Sequence, residues 1–156
     1  MKNEQGFSLV ELLIVVAIIA IIAAIAVPSL LTSKMAANEA SAIQGCRTVG
    51  SAEIAFAATN NQFYTDLTTL VQGNYLDGRF SNGGGFNGYT YASGAVASGV
   101  GAGGYPNSFE FQAQPTTSGG RYTYGIAPDQ VVRYLGVVGS ANPPVGLSVG
   151  DPIGKQ

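Results

Sequence analysis

The stretch "GFSLVELLIVVAIIAIIAAIAVPSL" occupies residues 6–30 and decides the fold, because its apolar run is too long for the core of a small domain. Leu12 to Val27 is a run of sixteen consecutive apolar residues, and no charge occurs from Leu12 to Ser33. About 20 helical residues cover the roughly 30 Å hydrocarbon core of a bilayer. A helix that is apolar on every side can hardly be covered by a chain of 156 residues. The run therefore predicts a membrane-spanning helix.

A cleaved secretory signal is the main alternative for this run. Residues 24–26, Ala-Ile-Ala, resemble a small-x-small cleavage site, and cleavage there would release a secreted surface-binding protein. Against this, the preceding residues carry Lys2 offset by Glu4, the run is longer than a usual signal, and Glu11 lies inside it. These features favour a helix that stays in the membrane.

Glu11 is the one charge between Phe7 and Ser33, and it has two interpretations. In the first, Ser8 is a helix N-cap and Glu11 completes a capping box of the form S-x-x-E. In the second, cleavage between Gly6 and Phe7 creates an α-amino group that is mostly protonated near neutral pH. That amine would lie four residues from Glu11, which is one helical turn. It could pair with Glu11 of the same copy or of a neighbouring copy.

Residues 1–58 resemble the class III prepilin signal and N-terminal helix of type IV pilins and secretion pseudopilins. The resemblance implies that a membrane prepilin peptidase cuts after Gly6 and N-methylates Phe7. It also implies that Glu11 is the assembly glutamate and that Pro28 kinks the helix. Ala20 stands where many family members carry glycine, and alanine is the better helix former by about 1 kcal/mol. The propensity of alanine thus argues against local unwinding near Ala20, whereas Pro28 still removes one helical hydrogen bond, and the sequence does not decide between the two.

The resemblance implies a structural subunit rather than an enzyme. Such a subunit crosses the bacterial inner membrane once, surrounded by lipid, before the pilus assembly machinery of that membrane adds it to an extracellular filament of identical copies. We prefer a type IV pilin to a type II secretion pseudopilin, which stays an alternative. A membrane-tethered module whose glycine-rich loops bind a carbohydrate or another surface is a further alternative.

The composition argues against catalysis and nucleic-acid binding. The chain has no histidine and one cysteine, Cys46, so it cannot form Ser-His-Asp, Cys-His or histidine-metal sites. A net charge of −2 gives no electrostatic basis for binding nucleic acid. Residues 99–104, "GVGAGG", fit a dinucleotide fingerprint but are not followed by a helix pattern, and Asp129 and Asp151 are too few for calcium. We expect no catalytic residue, cofactor or metal.

Residues 29–58 predict a continuation of the helix as an amphipathic segment. If the helix is unbroken from Phe7 to Ala58, it is ~78 Å long, which no domain of this size can cover along its whole length. The lower half must then lie in lipid or against other copies. At 100° per residue, six side chains fall within roughly 80° and form a stripe for a globular head: Leu31, Met35, Ala42, Cys46, Val49 and Phe56. Gly45 and Gly50 interrupt otherwise good helix formers.

The remaining residues predict a small head with one short helix and an antiparallel sheet. Asp66 is the expected N-cap of a helix over 66–76, with Gly73 near its end. Alternating patterns at 88–93, 108–114, 121–127 and 131–138 predict a meander of three or four strands with one face on the helix. Tyrosine and phenylalanine pairs in these strands are expected to stack across the sheet.

The predicted fold class is α+β, with a long N-terminal helix packed on a small antiparallel sheet as in type IV pilins. We expect a leader peptide at 1–6, a transmembrane and filament-core helix at 7–28, an amphipathic upper helix at 29–58 and a globular head at 59–156. The tail at 151–156 has no cysteine that could fasten it by a disulfide.

Overall fold

The longest element is α1, Leu9–Thr59, in a computed structural model that describes residues 6–81, 83–93, 108–135 and 151–154. The chain divides into two units, Met1–Lys34 and Met35–Gln156. Every described residue up to Lys34 is exposed to solvent, so the first unit is an apolar helical segment with no buried core. The second unit holds the rest of α1 and all the other elements.

Two short helical elements follow α1. α2 is Leu67–Gln72, and a 3₁₀ turn, η1, covers Gly78–Phe80. Asp66 is the N-cap of α2 as predicted, because its Oδ1 accepts a hydrogen bond of 2.8 Å from the backbone N–H of Thr69. Gly73 is the C-cap, so the helix ends earlier than the predicted residue 76.

The sheet is an antiparallel meander in which strands that follow one another along the chain are neighbours. Its six described strands are β1 Gly85–Phe86, β2 Tyr89–Ser93, β3 Phe111–Pro115, β4 Thr123–Ile126, β5 Arg133–Leu135 and β6 Asp151–Pro152. The predicted meander and α+β class are confirmed, and the prediction missed the two outermost strands. β1 and β6 have two residues each, which is too short for an alternating pattern to appear.

The predicted stripe of α1 is largely confirmed. Ala42, Cys46, Val49 and Phe56 are buried, and burial raises the pKa of the Cys46 thiol, which makes it an inert core residue. Met35 is only partly buried. Leu31 was predicted to lie on the stripe but is 50% exposed, because it belongs to the first unit, where no described side chain is buried.

Gly45 and Gly50 are buried on the same stripe, where sheet side chains come close to the helix backbone. A Cβ atom on Gly45 would lie 3.1 Å from the ring and hydroxyl of Tyr91, and one on Gly50 would lie 2.7 Å from Cδ1 of Ile126. The two glycines that interrupt the pattern of helix formers are therefore contact points rather than weak points of α1.

Aromatic side chains on the inner face of the sheet fill the space against α1. Tyr89, Tyr91, Phe109 and Phe111 are almost fully buried. The rings of Tyr91 and Phe111, on neighbouring strands, are stacked with centroids 5.8 Å apart. The predicted packing of aromatic pairs across the sheet is thus confirmed for the described strands.

The C-terminal tail is fastened by strand pairing. β6 pairs antiparallel with β5, with Asp151 opposite Tyr134 and Pro152 opposite Arg133. The backbone N–H of Ile153 then donates to the carbonyl oxygen of Val132 at 3.1 Å. Backbone hydrogen bonds therefore hold the described part of the tail, at residues 151–154, without a disulfide.

Candidate processing and assembly site

The peptide bond between Gly6 and Phe7 precedes the first turn of α1. A Cβ atom on Gly6 would meet no atom within 4 Å, and the Phe7 side chain is 91% exposed. Phe7 makes no buried contact that cleavage would disrupt. Among the residues that the structure describes, none therefore blocks access to the predicted processing bond.

Glu11 and Ser8 form the predicted capping box. The backbone N–H of Ser8 donates to Oε2 of Glu11 at 2.9 Å, and the backbone N–H of Glu11 donates to Oγ of Ser8 at 3.2 Å. These bonds satisfy two amide groups at the N-terminus of α1 that have no partner within the helix. In a single chain, Glu11 is thus a cap residue, and its carboxylate is exposed.

The surface of α1 around Glu11 is apolar on every side. Large aliphatic side chains from Leu9 to Leu31 are 50–76% exposed. Within the described part of the chain, α1 is the one helix long and apolar enough to cross a membrane, judged by length and composition. Such a surface must be covered by lipid or by other protein surfaces.

Pro28 lies inside α1, where it cannot donate a helical hydrogen bond to the carbonyl of residue 24. One turn later, the Thr32 and Ser33 hydroxyls both donate to the carbonyl oxygen of Ser29 at 2.9 Å. Hydroxyl bonds of this kind often accompany helix bending. The kink at Pro28 stays a prediction. Ala20 is helical in the single chain.

No described group of three or more His, Cys, Asp or Glu side chains could hold a metal ion. Asp129 accepts hydrogen bonds from the Val131 backbone and from the guanidinium of Arg133. The bond from Arg133 holds the pKa of the Asp129 carboxyl below its usual range. Asp129 is therefore engaged in an ion pair. The glycine motif at 99–104 lies outside the described residues.

Two polar residues that were not predicted from the sequence attach α1 to the β3–β4 turn of the sheet. Glu39 is buried and accepts hydrogen bonds from the backbone N–H of Arg121 at 2.8 Å and from its Nε at 3.1 Å. Nδ2 of Asn38 donates to the carbonyl oxygen of Gly119 at 2.8 Å. The spacing of Glu39 could have identified it as buried, because it lies three residues before Ala42 and seven residues before Cys46 on the buried stripe.

Comparison with known proteins points to the same N-terminal region. Residues 1–27 match the family described as the prokaryotic N-terminal methylation motif. Over 71 residues the chain is 35% identical to the "Type IV wide pilus major component PilA4" of Thermus thermophilus. The alignment covers 46% of this chain and 54% of the relative, so the chain spans about half the length of the curated relative it matches. In this motif, in this relative and in the arrangement of a long apolar helix with an antiparallel sheet, the chain is similar to type IV pilins.

Proposed function

We propose that this chain is the structural subunit of a type IV pilus-like extracellular filament. A prepilin peptidase would remove residues 1–6 and methylate Phe7, and the mature chains would polymerise through residues 7–28. The pilus assembly machinery of the bacterial inner membrane is the proposed partner before assembly. The name of the Thermus relative, a major pilus component, supports the same role for this chain.

The observation that carries the proposal is the uncovered apolar surface of the first unit. Burying one Leu or Ile side chain is worth about 1.5–3 kcal/mol, and this surface presents many of them to solvent. Lipid can cover that surface in the membrane. In a filament outside the cell, only the same segment of neighbouring copies offers an equally long apolar surface.

Glu11 supplies the specificity in this proposal. After cleavage, the Phe7 amine of one copy would pair with the Glu11 carboxylate of the next, where no water competes. The capping bond engages Oε2 of Glu11. A carboxylate accepts through two oxygens, so Oε1 can receive the amine of a neighbour without breaking the cap.

Glu11→Gln tests this role, because glutamine also serves at this position of a capping box while removing the charge. We expect the variant chain to be inserted and cleaved normally but to form few or no fibres. The measurement pairs the mass of the N-terminal peptide from membranes with the yield of fibres sheared from the same cells. For both the unmodified protein and the Glu11→Gln variant, we expect a mature chain that begins with methylated Phe7.

Ser8→Ala is the matched control, because it removes half of the capping box and keeps the carboxylate. We expect fibres from this variant. Abundant fibres from Glu11→Gln, or their loss in Ser8→Ala as well, would reduce Glu11 to a helix cap. Gly6→Val should leave the uncut precursor in the membrane, and normal cleavage of that variant would contradict the processing assignment.

A further inference from the structure

The uncharged part of α1 is bounded by a charged residue on each side. Glu11 precedes Leu12 and Lys34 follows Ser33, and no charge lies between them. At about 1.5 Å per residue, the stretch from Leu12 to Ser33 forms about 33 Å of helix. With the average tilt of about 20°, this helix projects about 31 Å along the bilayer normal, which matches the roughly 30 Å hydrocarbon core. Glu11 and Lys34 are therefore spaced as the two boundaries of that core would require.

A membrane segment at residues 7–28 would leave Glu11 in an unfavourable place. Its carboxylate would lie about 6 Å inside the hydrocarbon core, where a charge is costly. A segment at 12–33 places Glu11 in the headgroup layer instead. There water reaches the exposed carboxylate, and its capping bond to Ser8 is kept. The position of Glu11 therefore favours the later segment.

The apolar side chains oppose this choice only weakly. Moving the segment to 12–33 takes three exposed apolar side chains out of the core and brings two in. Those that leave are Phe7, Leu9 and Val10, and those that enter are Leu30 and Leu31. The difference is one apolar side chain, which is a smaller effect than removing a charge from the hydrocarbon. The charged residues therefore decide where the segment lies.

The C-terminal end of this segment also suits a membrane boundary. The Thr32 and Ser33 hydroxyls both donate to the carbonyl oxygen of Ser29, so these two donors are satisfied without water. Lys34 is exposed and forms no ion pair among the described residues. The next acidic residue along the chain, Glu39, already has a salt bridge within the head. The ammonium group of Lys34 is therefore free to bind an anion from outside the chain.

The boundary between the two units of the chain falls at the same residue. The first unit ends at Lys34, and Met35 is the first described residue that is not fully exposed. The side chains that need a cover of lipid therefore end where the first cation after the apolar run occurs. A lysine at the end of a membrane helix can extend its long side chain to the level of the headgroups.

We propose that lipid covers residues 12–33 of the unassembled chain, and that Lys34 binds the phosphate groups of the lipid headgroups at the end of this segment. The inference rests on the membrane stage of the proposed function. Glu11 lies in the headgroup layer at the opposite boundary, and the bond between Gly6 and Phe7 lies still further from the hydrocarbon. The Glu11 carboxylate then loses its water only when the chain enters a filament, where the amine of a neighbour would replace that water.

The depth of a single tryptophan in the bilayer tests the position of the segment, because the chain has no tryptophan of its own. The full chain, as Ile22→Trp or as Ile18→Trp, is reconstituted in vesicles of phosphatidylcholine and phosphatidylglycerol with bromine at known depths in the acyl chains. Position 22 is the middle of 12–33, and position 18 is the middle of 7–28. The two positions are one turn apart on the same face of α1, so rotation of the helix affects both equally.

We expect bromine near the bilayer centre to quench Ile22→Trp most strongly, and the tryptophan of Ile18→Trp to lie about 6 Å nearer the surface. The opposite order would overturn the proposal and leave the filament function standing. The absence of quenching in both variants would overturn the proposal together with the membrane stage of the proposed function.

Three further variants of Ile22→Trp test the role of Lys34. Lys34→Leu removes the ammonium group and prolongs the apolar surface, so we expect the tryptophan to move by about 3 Å or more. Lys34→Glu should also move it, because lipid phosphates repel a carboxylate. Lys34→Arg keeps a cation that binds phosphate and is the control, with unchanged depth. An unchanged depth in Lys34→Leu, or in Lys34→Glu, would contradict the binding of phosphate by Lys34.

Discussion

Glu53 is a buried carboxylate in the head, 25 positions after Pro28 and outside the segment that we assign to the membrane. Its Oε2 accepts a hydrogen bond of 3.2 Å from the backbone N–H of Thr65, where the chain returns after α1. The pKa of Glu53 is raised to about 7, chiefly by burial; the Thr65 hydrogen bond opposes this rise and the nearby Asp66 adds to it. Glu53 thus ties the end of α1 to the start of α2 at the expense of an unfavourable buried charge.

This raised pKa predicts a dependence of stability on pH. The unfolded chain releases the Glu53 proton near its usual pKa of 4.5, and the folded chain keeps it until about pH 7. The folded state therefore binds more protons in this window, so the free energy of unfolding falls as pH rises from about 4.5 to about 7. Above about pH 7 the ionisation of Glu53 no longer changes the free energy of unfolding.

Glu53→Gln should remove that dependence, because glutamine keeps an acceptor for Thr65 without the charge. At pH 8 we expect the variant to be more stable than the unmodified chain by about 1–3 kcal/mol, and at pH 4 the two should be nearly equal. Urea unfolding followed by far-UV circular dichroism at both pH values measures the difference. An equal advantage at pH 4 and pH 8 would show that burial of the charge is not the cause.

At the level of elements, two turns of the sheet meet on α1. The β1–β2 hairpin turns through Asn87 and Gly88, whose φ angles are 50° and 73°, the positive values expected of a two-residue hairpin turn. The carbonyl oxygen of Gly88 accepts from the backbone N–H of Thr116 in the β3–β4 turn at 2.9 Å. Nδ2 of Asn87 and Nδ2 of Asn38 complete the junction by donating to Ser41 Oγ and to the Gly119 carbonyl.

Gly119→Ala should disrupt this junction, because a Cβ there would overlap the backbone carbonyl of Gly88. Backbone atoms cannot move aside as the end of a side chain can, so we expect a loss of about 1–3 kcal/mol in the free energy of unfolding. Gly78→Ala is the control, since a Cβ on Gly78 would meet no atom within 4 Å. Chemical unfolding of both variants measures the contrast, and similar stabilities would contradict the close approach of the two turns.

The sequence was sufficient to predict the elements whose pattern is long or chemically distinctive. The apolar run, the Asp66 cap and the alternating strands each express a strong local preference, and each was found where it was predicted. The buried glycines of α1 were not predicted, because a glycine in a helix is locally unfavourable. The approach of Tyr91 to Gly45, and of Ile126 and Gln130 to Gly50, explains these two positions.

The outermost strands also could not be predicted from the sequence. β6 is a two-residue edge strand, and its Pro152 cannot donate a hydrogen bond to a further strand. β5 and β6 are not adjacent in sequence, so no local sequence pattern predicts their pairing. Short edges that contain proline also discourage sheet-to-sheet aggregation.

At the level of the whole molecule, some of the important side chains could be predicted from the sequence and others could not. Gly6, Phe7 and Glu11 could be proposed from sequence because the capping box and the family resemblance depend on residues close together in the chain. The bond from Asn38 to the carbonyl oxygen of Gly119 could not be found in this way, because it joins α1 to the β3–β4 turn across 81 positions of the chain.

The division of the chain into two units gives a prediction for the whole molecule. The buried hydrophobic cluster draws its described members from Ala42 onward, and the described residues up to Lys34 are all exposed. A fragment beginning at Ser29 therefore loses none of the residues described as buried, although it loses the whole run from Leu12 to Val27. We expect this fragment to be soluble and monomeric and to unfold in one cooperative transition, measured by analytical ultracentrifugation and thermal circular dichroism.

Two further fragments show where the independent unit begins. A fragment that starts at Met35 should be as stable as the one that starts at Ser29, because residues 29–34 are exposed. A fragment that starts at Ala40 loses the Asn38 bond to Gly119 and the Glu39 bonds to Arg121, so it should unfold at a clearly lower temperature.

If the Ser29 fragment is unfolded or aggregates, the head depends on the apolar segment for its stability. If the Ala40 fragment is as stable as the other two, the junction on α1 does not hold the sheet. The expected order, with the loss confined to the step from Met35 to Ala40, would assign the stability of the head to its own core and to the polar contacts that α1 makes with the turns of the sheet.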